Sequence, residues 1–284
     1  SLFSFMIYIV TLCPPIYVGD SGELCAAAYT LGIAHPPGYP IWCLLGKMFT
    51  LIPIGDIIYR TNFMSAFFSS LSVGLVYLFV LKLTNSSHIP AIVASLSFAF
   101  SDIFWSQAVI TEVYSLNTFF VTLTLFLLIT WQKTQEDKYL YLFSFTYGLS
   151  LTNHHTMALF APVYGMHIFI QVLNRKSLQR YIVRRLIIMI LLFLAGLSVY
   201  LYLPIRARAH PAVWWQSPAT LDDFLNHVLR HQYGPLNKGI HRLSLFIRQA
   251  YSYFKGVGVQ FTPYLVFLAP VGVIKLYRGN KDWF

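Results

Sequence analysis

Asp20 and Glu23 stand three positions apart in Gly19-Asp20-Ser21-Gly22-Glu23, just past an apolar opening stretch, and no other acid precedes Asp56. A carboxylate so placed can take the proton of an attacking hydroxyl, the work of a general base. The same spacing also fits a capping box: Asp20 would cap a helix beginning in the Ala-rich stretch 24–31, with Glu23 reaching back to its first amide. One residue can do both. Further on, His35-Pro36-Pro37-Gly38-Tyr39-Pro40 makes a turn stiffened by its prolines, and its histidine is either a ligand contact or a hydrogen-bonded turn residue.

Three more groups carry chemistry. Glu112, with Tyr114 just after it, lies between two apolar stretches; an acid at that depth either faces a cavity or is favoured by a helix start. Asn153-His154-His155-Thr156 fills a very short connection. Neighbouring helical residues point about 100° apart, and neither HExxH nor His/Asp spacing accompanies the pair, so no metal site is expected. Hydrogen bonding to a polar substrate suits these residues, with Asn153 alternatively capping the next helix. Arg206 and Arg208 follow an apolar stretch and are suited to phosphate recognition or to headgroup anchoring. Trp214 and Trp215 can stack on a sugar or belong to an interfacial belt. With no Gly-rich phosphate loop, GxSxG elbow or dinucleotide fingerprint, nucleotide recognition by those devices is not indicated.

The elements that must position these residues are membrane helices. The chain of 284 residues is 57% hydrophobic and 11% charged, too little polar surface to coat a soluble globule. Apolar stretches at 2–18, 62–83, 89–105, 114–131, 139–152, 157–173, 186–203 and 262–277 predict an all-α polytopic protein of about eight transmembrane helices. A shorter stretch, 39–54, contains Gly46, Lys47 and Pro53 and is read as juxtamembrane or re-entrant. The net charge of +10 sits mainly in short loops beside apolar stretches, which makes it a topology signal and not a nucleic-acid surface. With the first loop, 19–61, outside, Lys133, Lys138, Arg175, Lys176, Arg180, Arg184, Arg185, Lys275, Arg278 and Lys281 all fall inside. The segments 20–40, 106–114, 153–156 and 204–261 then share the extracytoplasmic face. Cys13, Cys25 and Cys43 show no CxxC spacing and indicate neither zinc nor a disulfide framework. The chain opens on Ser1 without a basic flank, so it reads as a piece of a longer protein and not as a signal peptide followed by its mature chain.

Taken together, Asp20-Ser21-Gly22-Glu23, Gly32-Ile33-Ala34-His35-Pro36-Pro37-Gly38-Tyr39-Pro40, 107–117, 148–156, 202–206 and 224–234 resemble the DUF2723 group of GT-C-type membrane glycosyltransferases. That group includes the animal O-mannosyltransferase of receptor IPT domains. The resemblance implies a GT-C-like catalytic module over 1–203, an extracytoplasmic loop over 204–261 and a last helix with a truncated end over 262–284. It also implies inverting transfer of a hexose such as mannose from a polyprenyl-phosphate carrier to an extracytoplasmic hydroxyl, on protein or glycan, in the periplasm, at the cell exterior or in the ER lumen. No organic cofactor is implied, and a divalent-metal requirement is left open. Onto this chain the resemblance carries Asp20 as base and Glu23 as its support. His35, Glu112, Tyr114, Asn153, His154, His155, Arg206 and Arg208 are the expected substrate contacts. One departure is Trp215-Gln216-Ser217-Pro218, where related chains often read Trp-Gly-Asp-Pro, so no ligand role is carried onto that loop. A polyprenyl-lipid transporter and an inactive membrane scaffold are the alternative functions; no internal repeat of the transporter kind is visible.

Overall fold

The structure is a computed structural model that describes residues 1–174, 181–234 and 243–279, without the side chains of 243, 244 and 262–268. Arg175, Lys176, Arg180 and Lys281 of the expected inner face lie outside the described residues. The described chain is helical: α1 (Leu2–Val10), α2 (Ser21–Thr30), α3 (Pro40–Thr50), α4 (Ile57–Leu83), α5 (His88–Ala99), α6 (Asp102–Ala108), α7 (Tyr114–Thr134), α8 (Asp137–Leu151), α9 (Ala161–Asn174), α10 (Ile182–Leu197), α11 (Tyr202–Arg208), α12 (Leu221–Val228) and α13 (Leu243–Gly279). Short 3-10 turns at His155–Phe160 and Ser198–Leu201 lead into α9 and α11. Among the described residues no strand forms; an isolated parallel bridge joins Ile33 to Trp214.

Four helical stretches are long and apolar enough to cross a bilayer: Ile57–Leu83, Tyr114–Thr134, His155–Asn174 and Ile182–Arg208. They coincide with four of the expected spans. The expected span at 89–105 is α5 and α6, bent by 66° at their junction, and counts as a fifth only if the pair is one broken span. At 2–18 the helix stops at Val10, four residues before the Pro14-Pro15 pair that cannot continue an amide ladder. The stretch 139–152 lies in α8, whose 15 residues fall short of the roughly 20 that a perpendicular crossing needs. The stretch 262–277 lies within α13. The segment read as re-entrant is α3, and its 11 residues reach only about 16 Å, half a hydrocarbon core.

Packing gathers α2, α3, α4, α7 and α11 around Leu24, Trp42, Met64, Leu116, Met157 and Leu203, all buried. Beside it, α8 lies so close to α10 that a Cβ at Gly148 would fall 2.1 Å from the Phe193 carbonyl, and one at Gly196 2.3 Å from that of Phe145. Such backbone approach is how membrane helices pack where tails on either side are equally apolar.

Candidate functional site

The site begins at the N-terminus of α2. Asp20 occupies the N-cap position in helical geometry (φ −83°, ψ −5°) with no side-chain cap bond, so the capping box does not form. Ser21 fixes the turn instead, its hydroxyl donating to the Thr111 carbonyl at 2.7 Å. Thr111 in turn donates to Asn62 on α4 at 2.6 Å. These bonds leave the Asp20 carboxylate at the surface, with a side chain 57% exposed.

The chain then returns on itself. Leu31 ends α2 in the left-handed region (φ 51°), and residues 32–34 lead back toward the helix start. The return brings His35 level with Glu23, whose carboxylate meets the His35 amide. Gly32 permits the path, because a Cβ there would sit 2.4 Å from the Val213 carbonyl. Ile33 closes it, donating to Val213 at 2.9 Å and accepting from Trp215 at 2.9 Å.

Glu23 therefore does not reach for its own helix. One carboxylate oxygen accepts from the His35 amide at 2.6 Å and the other pairs with the His35 Nδ1 at 2.8 Å. The imidazole Nε2 pairs with the Tyr39 hydroxyl at 3.0 Å and lies 3.7 Å from Asp20. Burial alone would push His35 down, but the Glu23 bond and the charges of Glu23 and Asp20 outweigh it and raise the imidazole above its ordinary value. One ligand atom each from Asp20, Glu23 and His35 lies within 4.8 Å of the others, the spacing of a cation site. Both ring nitrogens are already hydrogen-bonded, however, and a metal-ligating histidine needs one lone pair free. The donor set fits a charge-assisted relay better than an ion.

Glu112 lies in the loop between α6 and α7, 8% exposed. Burial and then the Asp20 charge push its carboxyl up to about 7, while the Val113 and Asp20 amides and His35 pull the other way. The Trp42 indole holds the Glu112 carbonyl at 3.2 Å. His154 opens the turn before α9 with Nδ1 accepting from the Thr156 amide at 3.2 Å, and burial pushes it down to about 4. Its ring stacks on Tyr39, centroids 6.1 Å apart, and packs against Tyr114 at 5.7 Å. Trp215 meets the other side of His35 at 5.9 Å. Trp215, His35, Tyr39, His154 and Tyr114 thus form one aromatic wall beside Asp20.

Four further expected contacts have other surroundings. Asn153 is buried and donates to the Val113 carbonyl at 3.2 Å, strapping the Glu112 loop to α8 in place of capping a helix. His155 lies 3.3 Å from the Tyr200 hydroxyl, which donates to Leu151. Arg206 donates to the Leu31 and Thr30 carbonyls at 2.7 and 3.5 Å, so it terminates α2 at the end away from Asp20. Arg208 is exposed. The cation whose charge reaches His35, Tyr39 and His154 is Arg230, which sequence reasoning missed. Its only signal was its place within 224–234, one of the stretches that carried the family resemblance.

Fold and site together define a helical protein with several membrane-length segments, carrying a carboxylate–imidazole corner beside an aromatic wall. A family model described as the Protein O-mannosyl-transferase TMEM260 N-terminal domain matches residues 20–178, more than half of the chain, and the chain belongs to that family. It is 36% identical over 234 residues to the mouse Protein O-mannosyl-transferase TMEM260, covering 80% of this chain and 33% of the relative. To the Dictyostelium discoideum Protein O-mannosyl-transferase tmem260 it is 29% identical over 301 residues, covering 96% of this chain and 35% of the relative. The chain spans about a third of the length of both relatives. No solved structure matches it.

Proposed function

We propose that the chain forms the acceptor-activating part of a membrane mannosyltransferase that moves mannose from a polyprenyl-phosphate carrier to a protein hydroxyl. The observation that carries this reading is the Asp20 carboxylate, exposed to an incoming hydroxyl yet backed by the His35–Glu23 pair. In the reaction, the acceptor oxygen bonds to the anomeric carbon as the bond from that carbon to the phosphate oxygen breaks. The electron pair leaves with the phosphate, the hydroxyl proton passes to Asp20, and configuration inverts. Glu23 and His35 do not touch substrate in this scheme; they orient the base and steady its field. The names of the two relatives support mannose and a protein acceptor. The GT-C-like, multi-pass arrangement with an extracytoplasmic site draws support from the meeting of four separated segments: Trp42 with Glu112, Tyr39 with His154, and Ile33 with Trp214.

Asp20→Asn in the full-length protein, supplied with a labelled mannosyl-phosphoryl-polyprenol and an acceptor domain, tests the assignment. Loss of a general base is expected to slow turnover by about 10² to 10⁴-fold. Wild-type turnover in this variant, accompanied by a lower melting temperature, would reduce Asp20 to a structural residue.

A further inference from the structure

At the far end of the aromatic wall from Asp20 lies a cavity of about 620 Å³ into which His154, Arg230 and Tyr233 face. Arg230 follows α12 in the left-handed region (φ 60°) and lays its guanidinium 4.7 Å from the centre of the Tyr233 ring. Its Nε is buried without a hydrogen-bond partner, and among the described residues no carboxylate lies within ion-pair distance of it. A half-buried cation without a counter-ion is costly, and a guanidinium fork matches the paired oxygens of a phosphate. His154 adds a neutral donor: with Nδ1 accepting from Thr156, the ring hydrogen sits on Nε2. His155 and Thr156 continue the polar side of the lining, and Ala158, Leu159 and Leu229 give it an apolar wall.

We infer that Arg230 and His154 form the binding site for the phosphate of a lipid-linked sugar, with the apolar wall taking the first carbons of the lipid. The inference rests on the carrier proposed above. The order Asp20, His35, Tyr39, His154, Arg230 places the base at one end of the wall and the cation at the other. An inverting displacement has that polarity, since the proton is lost on the acceptor side while negative charge grows on the departing phosphate. Arg206 is excluded from this role because its guanidinium is bonded to the carbonyl end of α2.

The test is binding, read without turnover. Full-length wild type, Arg230→Gln and Arg230→Lys are titrated with a mannose-free polyprenyl phosphate and, separately, with inorganic phosphate; Asp20→Asn is the reference for a broken base. Loss of a charged hydrogen bond predicts about 10 to 100-fold weaker binding of the polyprenyl phosphate by Arg230→Gln, with Arg230→Lys in between and Asp20→Asn like wild type. Inorganic phosphate that competes and also depends on Arg230 supports the site as a phosphate reader; if only the lipid binds, and depends on Arg230, the support is for the lipid-linked phosphate. Equal lipid binding by wild type and a folded Arg230→Gln overturns the site and leaves the transferase reading standing. A wild type that transfers mannose but does not bind polyprenyl phosphate overturns this site and its carrier, while Asp20 as base stands or falls by its own variant.

Discussion

At the Asp20 corner, Glu23 places both carboxylate oxygens on His35, fifteen residues beyond Asp20, and Tyr39 completes the ring's bonds. At the Arg230 end, residues from the α8–α9 connection and the end of α12 meet, and a buried guanidinium nitrogen stays without a partner. The first region is wired internally and the second is incomplete by itself. Under the proposed transfer reaction, the difference is a division of labour within one site. A base must be held in one direction before substrate arrives, whereas a group that meets phosphate must keep its donors uncommitted.

Four measurements break or sharpen that contrast. Asp20→Asn should have the largest effect, about 10² to 10⁴-fold on turnover with the fold retained. Glu23→Gln should follow at about 10 to 10²-fold, the range expected when a reacting group loses its direction. With Glu23's bond and charge gone, the inflection belonging to His35 should move to lower pH. The sign for stability follows: because the folded state raises His35, its contribution is full below the ordinary value of 6.5 and is lost as pH rises through the folded one. A His35→Gln protein should therefore lack that decline in thermal melts. No change in the pH profile of Glu23→Gln would mean that the internal wiring has no bearing on the chemistry.

Glu112→Gln comes third. The carboxyl rises from 4.5 to about 7 in the fold, so its protonated form is favoured there and wild-type stability falls as pH climbs through that window. The variant should match wild type near pH 4 and exceed it by roughly 3 kcal/mol at pH 9. Melting curves of equal spacing at both pH values would remove Glu112 from the electrostatics of the corner. The smallest effect belongs to Arg206→Ala, about 1.5 to 3 kcal/mol of stability from lost charged hydrogen bonds. Its affinity for polyprenyl phosphate should stay at the wild-type level; a loss there like that of Arg230→Gln would transfer the phosphate role back to α11.

Hydropathy made α4, α7, the 155–174 helix and the 182–208 stretch legible, since a bilayer-length apolar segment has few alternatives to crossing. It overread 2–18, where apolar residues continue past the helix end at Val10. The acids of the corner were visible as residue types, but their arrangement was not. Glu23 meets His35 only because Leu31 turns left-handed and Gly32 slides under Val213, a path set by contacts from 180 residues away. The bonds of Arg206 were hidden from the sequence for a related reason. Position beside an apolar stretch says that Arg206 is near an interface, and says nothing of the two carbonyls that occupy it.

The Ile33–Trp214 pairing has a consequence for how the protein is made. Together with Tyr202 to Gly32 and Arg206 to Leu31, across separations of 170 and 175 residues, it is the outer brace of the acidic corner. A chain that inserts from its N-terminus leaves that brace unmade until residue 215 has emerged, so the Asp20 corner is synthesised early and positioned late. Damage to the 202–215 segment should therefore disturb a corner whose own residues are intact.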